Sequence, residues 1–317
     1  MTPASAIKTV LKSILGERMI ERIRARAAAG EIHRRMADLE VARRSGVPVF
    51  LDARMRPCWV LKRGRLKQRL FIATIPKAGT HMMAMMLTRF GLVDCRVHVM
   101  QHGIVDHRFA PERLRRYYPA AVGRSIPLGD SIRLIAPGQF AFGHIGLRDA
   151  AVRAMFADFK VVAMYRNLRD AYASLVRYFR EIRRDTVAFQ KASLFHEDLA
   201  SMIAWDLENE GPARLIGFRE LCAWRHEPNA LPLYYEDVVG DRGRDRQLAV
   251  MRDLRAFLGS NVDDGELADI LNTVIGQPTM TKTDRPTIAA EHWTDEIERT
   301  FRRIGFTDLN RELGYDE

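Results

Sequence analysis

The stretch FIATIPKAGTH at residues 71–81 limits the fold more than any other part of the chain. A short apolar run ends at Pro76, and Lys77, Gly79 and Thr80 then lead into a Met-rich segment that is typical of a helix. This order predicts a buried strand, a tight turn and a helix whose first amides point at an anion. The lysine adds a positive charge, the glycine lets the backbone approach, and the threonine hydroxyl donates a further hydrogen bond.

The order of residues in this loop differs from that in nucleotide kinases and ATPases. Their loop reads G-x-x-x-x-G-K-[ST], with the lysine directly after the second glycine. Here Lys77 precedes Gly79 by two residues, and Thr74 takes the place of the first glycine. Ala78 stands where a magnesium-binding hydroxyl would follow the lysine. The loop therefore favours an anion site without magnesium over a magnesium-dependent phosphoryl transferase.

A second block, VVAMYRNLRDAYASLV at residues 161–176, has the same organisation. Its continuous apolar run predicts a strand that is buried on both faces. Arg166 follows at the carboxyl end, where open α/β sheets bind ligands, and its guanidinium can hold a phosphate with two hydrogen bonds. Ser174 falls about two turns into the next helix, facing back toward the strand end. The alternative is that Arg166 and Asp170 form an ion pair across one helical turn at the surface.

Together the two blocks resemble the sulfotransferases that use 3′-phosphoadenosine 5′-phosphosulfate (PAPS). Residues 74–81 resemble the family's 5′-phosphosulfate loop, T-x-P-K-[SA]-G-T-[TH], and residues 165–174 resemble its 3′-phosphate block, Y-R-[ND]-P-R-D-x-x-x-S. Arg166 and Ser174 keep the family's eight-residue separation. Leu168 replaces the usual proline, which changes how rigidly the turn enters its helix and leaves both phosphate ligands in place.

The resemblance implies a three-layer, P-loop-like α/β fold with a mainly parallel central sheet flanked by helices. It covers about residues 68–315, so we expect a catalytic domain at residues 68–317 after a basic, largely helical extension at residues 1–67. The donor would be PAPS. The residues implied for its 5′-phosphosulfate are Lys77, Ala78, Gly79, Thr80 and His81.

The segment QFAFGHIG at residues 139–146 supplies a candidate general base. Its apolar strand ends at Gly143, so His144 emerges at the same sheet edge as Lys77 and Arg166. Removing a hydroxyl proton needs a base, and histidine has a suitable pKa near neutrality. The segment also resembles the family's [TG]-H-[LI], which carries the catalytic histidine in many sulfotransferases. The alternatives are a histidine that only satisfies loop carbonyls, or an acidic residue that shares or takes the base role.

Two later segments complete the resemblance. The run LPLYYED at residues 231–237 looks like the family's Y-E-D-L block, which would put Tyr235 beside the adenine. Residues 278–293 occupy the place of the late basic loop, often R-K-G-x-x-G-x-W, although the glycines are absent. The resemblance gives Lys282 and Arg285 a 3′-phosphate role there. Between the blocks, residues 193–225 predict helical segments that break near Gly211 and Pro212.

Composition limits the compartment and the cofactors. The three cysteines are far apart and lack metal spacing, and the histidines near Cys95 fit no standard zinc pattern. We expect no metal, because fixed cations and amides can do what magnesium does in kinases. No run approaches the roughly 20 apolar residues of a membrane span, and Lys8 and Lys12 interrupt the only early apolar stretch. A reduced, cytoplasmic location is expected.

The positive charge is concentrated near the N-terminus. The net charge is +10, and residues 1–70 contain 17 Lys and Arg against 6 Asp and Glu. The catalytic portion is therefore close to neutral and needs no nucleic acid as a partner. Apolar residues recur at helical spacing in the extension. This helix could pack on the body or a partner subunit, dock on the anionic inner face of a membrane, or steer an acidic acceptor.

The sequence thus predicts transfer of a sulfuryl group from PAPS to an acceptor hydroxyl. A carbohydrate or glycoconjugate acceptor is favoured chiefly by what the family does. Two other functions remain open: a nucleotide-dependent kinase, and a non-catalytic nucleotide-binding module held at membranes by the N-terminal helix.

Overall fold

The computed structural model of the protein describes residues 64–106, 123–124, 127–181, 198–277 and 289–315. The predicted extension at residues 1–67 lies almost wholly outside these ranges, as do Lys282 and Arg285. Their roles stay predictions. Within the described ranges, no helix is long and apolar enough to cross a membrane.

The described residues form a seven-stranded sheet in the order β4-β3-β2-β5-β1-β6-β7. The strands β2, β5, β1, β6 and β7 run parallel to one another, and β3 and β4 extend one edge through antiparallel pairs, β2 with β3 and β3 with β4. The expected mainly parallel sheet is therefore confirmed. The strands are β1 Arg69–Thr74, β2 Val93–Met100, β3 Gly103–Asp106, β4 Gly123–Arg124, β5 Gln139–Gly143, β6 Phe159–Tyr165 and β7 Ala230–Tyr234.

Helices cover both faces of this sheet. The connection from β1 to β2 moves one way across the sheet and that from β5 to β6 moves the other way. Because such crossovers are right-handed, their helices lie on opposite faces. The helices are α1 Thr80–Arg89, α2 Leu128–Arg133, α3 Ala150–Met155, α4 Leu168–Glu181, α5 Leu199–Cys222, α6 Tyr235–Val239, α7 Arg244–Leu258, α8 Asp264–Val274, α9 Ala289–His292, α10 Asp295–Ile304 and α11 Phe306–Glu312.

The central strand β1 is apolar because both of its faces are covered. Its last five residues are buried, and Phe71 packs on Phe156 with ring centroids 4.8 Å apart. Phe156 in turn meets Trp224, whose indole N–H donates to the carbonyl of Ile145 at 2.7 Å. This aromatic core fixes the segment that follows β5.

The predicted helix break near Gly211 and Pro212 was wrong, because α5 runs unbroken through both residues. Pro212 removes one backbone hydrogen bond, and packing against α10 compensates for it. A Cβ at Gly211 would lie 2.8 Å from Ile304, so the glycine permits close approach of the two helices. The neighbouring Glu208 also accepts from Thr300 of α10 at 3.1 Å.

Candidate active site

Three strands deliver the candidate residues to one edge of the sheet. In the parallel register, Ala73 of β1 lies opposite Gly143 of β5 and Ala163 of β6. The carboxyl ends of these strands therefore coincide, and Lys77, His144 and Arg166 all follow within a few residues of them. The structure thus gathers all three at the predicted edge.

The loop after β1 forms the predicted tight turn, with an unusual backbone. Lys77 and Gly79 both have positive φ, at 70° and 91°, and Gly79 is the N-cap of α1. The first turn of α1 has no acidic side chain, so the positive end of the helix dipole is not offset there. The Thr80 hydroxyl is 2.7 Å from that of Thr74, which closes the loop back onto its strand. Ala78 is buried beneath the turn.

Lys77 is held among other cations. Its carbonyl accepts from Arg166 Nη1 at 3.1 Å, and its Nζ lies 4.7 Å from the ring centroid of Tyr178. The pKa of Lys77 is lowered from 10.5 to about 7, first by burial and then by repulsion from Arg177 and Arg166, while Glu181 acts in the opposite direction. The ammonium form is therefore costly here, and a bound anion would stabilise it.

His144 has a defined hydrogen-bond partner on one side of its ring. Its Nδ1 is 2.7 Å from the carbonyl oxygen of Thr74, so Nδ1–H donates and the neutral ring keeps Nε2 as its basic nitrogen. The Thr74 hydroxyl lies 3.3 Å from the same Nδ1, and the ring meets His98 edge to face at 5.2 Å. His144 therefore satisfies a carbonyl and still presents a base.

Protein atoms surround His144 without covering it completely. Burial lowers the pKa of His144 below its usual 6.5; its hydrogen bond with Thr74 opposes this shift, and Lys77 adds to it. The residue nevertheless keeps solvent-exposed surface. His144 is therefore crowded by protein atoms and still accessible to a substrate.

Arg166 and Ser174 form the second part of the site. Both are nearly inaccessible, at 7% and 3% exposed, which excludes a surface ion pair for Arg166. The Arg166 guanidinium stacks on the ring of Tyr235 at 4.4 Å, so β7 and α6 help to orient it. Asp170, in the first turn of α4, accepts from the amide of Ala289; burial raises the pKa of its carboxyl, and the charge of Arg166 opposes that shift.

Tyr235 also lies against the loop after β1. A Cβ added at Gly79 would come within 2.9 Å of its ring. The next residue, Glu236, accepts from the amide of Asn167 at 3.0 Å and from the hydroxyl of Tyr315. Asp237 is buried and pairs with arginines of the following turn and helix. The two acids therefore order this segment.

Of the predicted loop residues, His81 remains to be placed. His81 lies in the first turn of α1 with its ring 5.4 Å from that of Phe142. In the described ranges, no group of three or more His, Cys, Asp or Glu could hold a metal ion. Sequence reasoning missed Thr74 as a partner of His144, and it missed Arg177 and Tyr178 beside Lys77. The positions of Arg177 and Tyr178, three and four residues after Ser174, were the available signal.

Comparisons with known proteins identify the family of the chain. A family model described as Sulfotransferase domain matches residues 67–312. A crystal structure of mouse sulfotransferase SULT7A1 complexed with PAP is similar, with a TM-score of 0.51 and 15% identity over 78% of this chain and 87% of that one. Sulfotransferase STF9 from Mycobacterium avium has a TM-score of 0.42 and 13% identity, over 77% of each chain. No curated protein matches the chain significantly. Because the family model matches well over half of this chain, including all the strands described above, the chain belongs to the sulfotransferase family.

Proposed function

We propose that this sulfotransferase uses PAPS as its donor and transfers the sulfuryl group to a hydroxyl of a carbohydrate or glycoconjugate. The observation that carries the proposal is the convergence of Lys77, Arg166 and His144 at one sheet edge, beside an uncompensated helix N-terminus. SULT7A1, which has the same fold, was crystallised with PAP, the desulfated donor.

In this proposal the two phosphate ends of the donor are held separately. Lys77 and the loop residues Ala78, Gly79, Thr80 and His81 hold the 5′-phosphosulfate at the start of α1. Arg166 and Ser174 hold the 3′-phosphate, with Lys282 and Arg285 completing that end. Tyr235, which stacks on Arg166, would lie beside the adenine.

The same residues account for transfer. His144 Nε2 takes the proton of the acceptor hydroxyl, whose oxygen forms a bond to sulfur while the bond from sulfur to the 5′-phosphate oxygen breaks. Negative charge develops on that leaving oxygen, and Lys77 and the loop amides stabilise it more than the ground state. The fixed cations meet this need without a metal ion. A large acceptor can reach the base because His144 keeps exposed surface.

The N-terminal extension would bring the enzyme to its substrate or partner. Its surplus of positive charge suits docking on an anionic membrane surface, and its helical apolar pattern suits packing on the body or a partner subunit.

The test is titration calorimetry with 3′-phosphoadenosine 5′-phosphate (PAP), ATP and 5′-AMP in the absence of magnesium. We expect tight binding of PAP and weak binding of the other two, because only PAP fills both phosphate sites. Preference for ATP, strengthened by magnesium, would replace this proposal with the kinase.

A second assay separates catalysis from binding. The protein is incubated with donor labelled in its sulfuryl group and a panel of carbohydrate, glycolipid and phenolic hydroxyls. Label transferred to a carbohydrate or glycolipid supports the acceptor class, and label on phenols alone contradicts it. Tight PAP binding without turnover on any acceptor would favour the non-catalytic module.

A further inference from the structure

Arg177 lies in the same helix as Ser174, one turn further along and on the same face. Its side chain is 15% exposed, and its Nε is 3.9 Å from Glu181 Oε1, too far for a hydrogen bond. Its Nε and Nη2 are fully shielded from solvent and make no hydrogen bond within the described part of the chain. A shielded guanidinium with so few partners needs an explanation.

Arg177 cannot avoid the free-energy cost of its shielded charge by losing a proton. Arginine stays charged in proteins, and a buried charge without hydrogen bonds is destabilising. Burial lowers the pKa of Arg177, and Glu181 offsets part of that effect. Repulsion from Arg166 lowers it further, and Glu291 opposes that repulsion. An arriving anion would relieve the cost that remains.

Arg177 also belongs to the electrostatic surroundings of the loop lysine. The adjacent residue, Tyr178, is the one whose ring lies below Lys77 Nζ. The charge of Arg177 is the largest electrostatic contribution that lowers the pKa of Lys77, ahead of Arg166. Three cations, Lys77, Arg166 and Arg177, therefore lie close enough to repel one another, and a bound anion would relieve that repulsion.

We propose that Arg177 is a further cationic ligand of the donor nucleotide, whose guanidinium binds an anionic phosphate oxygen near Lys77. The proposal rests on the donor assignment made above and adds a residue that the family motifs do not contain. Glu181 acts as the counter-ion of Arg177 when the site is empty. A purely structural role, as a partner of Glu181 alone, is the competing explanation.

The experiment compares PAP affinity by calorimetry in the parent protein, Arg177→Gln, Arg177→Lys and a control, Arg153→Gln. Arg153 is an exposed arginine whose ion pair with Glu227 lies on α3, away from the strand ends that form the site. We expect Arg177→Gln to raise the Kd about 10- to 100-fold, which is typical of losing one charge-assisted hydrogen bond. Arg177→Lys should recover part of the loss, and Arg153→Gln should match the parent.

Two further measurements separate ligand binding from a structural role. The thermal midpoint of Arg177→Gln without ligand should equal or exceed that of the parent, because a partly buried charge with two shielded nitrogens that make no hydrogen bond in the described ranges is removed. The pKa of Lys77, followed by NMR of its Nζ, should rise above about 7 in this variant, because the repulsion from Arg177 is lost.

Titrations with 5′-AMP and 3′-AMP show which end of the donor Arg177 contacts. A loss confined to 5′-AMP assigns it to the phosphosulfate, and a loss confined to 3′-AMP assigns it to the 3′-phosphate. Unchanged PAP binding in Arg177→Gln, or an equal loss for adenosine itself, overturns the inference while the donor assignment stands. If the parent protein does not bind PAP, the donor assignment itself fails.

Discussion

At the residue scale, Thr74 joins the loop to the histidine. It is fully buried at the end of β1, its hydroxyl meets Thr80, and its carbonyl accepts from His144 Nδ1. One strand end therefore fixes both the entry to α1 and the tautomer of the proposed base. Orienting a histidine in this way leaves its second nitrogen available for proton transfer.

The base role of His144 predicts a specific pH profile. With its pKa below 6.5, kcat/KM should rise through a pKa under that value, since only the neutral ring accepts a proton. Above about pH 7, kcat/KM should fall as Lys77 loses its charge in the free enzyme. His144→Asn should lower kcat by about 10²- to 10⁴-fold and remove the acidic limb.

The profile is measured with an acceptor identified by the labelling screen. PAP affinity serves as the control and should stay unchanged in His144→Asn, because Asn can still donate to the Thr74 carbonyl. If kcat/KM of His144→Asn still rises with pH on the acidic side, an acidic residue, not His144, would be the base.

At the element scale, the start of α1 depends on its glycine. Gly79 combines a positive φ with close contact to Tyr235, and Tyr235 in turn stacks on Arg166. The loop and the arginine block therefore share one aromatic contact. The sequence predicted the loop and the arginine block separately. Only the fold shows that Tyr235 of α6 contacts both of them.

Gly79→Ala should weaken PAP binding and destabilise the fold. The left-handed backbone costs a non-glycine residue roughly 1–2 kcal/mol, and the new Cβ would push Tyr235 away from its position. Calorimetry and urea unfolding measure the two effects. Gly129→Ala is the matched control, because Gly129 lies in α2 with nothing within 4 Å of an added Cβ. Equal behaviour of the two variants would show that the loop tolerates a side chain.

At the scale of the whole molecule, the C-terminal segment supports the turn that carries Arg166. The buried side-chain oxygen of Asn310 accepts from the amide of Leu168 at 2.8 Å, where α4 begins. Tyr315 donates to Glu236, which also holds Asn167. The end of the chain thus fixes the turn that carries Arg166 into its helix, at the position where the family's proline is replaced by Leu168.

Asn310→Ala should lower the free energy of unfolding by about 1–3 kcal/mol, because the buried amide of Leu168 loses its acceptor. Urea denaturation monitored by circular dichroism measures the change. Asn209→Ala, at an exposed position on α5, should stay within about 0.5 kcal/mol of the parent. A loss no larger than this control would show that the C-terminal tie contributes little.

Much of the site could be predicted because it follows chain order. Each of Lys77, His144 and Arg166 comes just after an apolar run, and the ends of parallel strands meet at one edge. The contacts of Arg177 and Asn310 could not be predicted in this way. They depend on side chains that meet across elements far apart in sequence. The continuity of α5 through Pro212 was missed for the same reason, since its compensation comes from α10.

The sequence by itself indicated the buried strands and the anion loop, and its resemblance to a family implied the mainly parallel sheet and the proposed donor ligands. These inferences depend on local patterns: apolar runs, a glycine at a turn, and fixed spacing within one strand and helix. The tertiary structure decided how these residues are tuned, including the lowered pKa of Lys77, the tautomer of His144 and the shielding of Arg177. Burial and electrostatic interaction depend on distances between groups in space, and those distances are set only when the separate elements pack together.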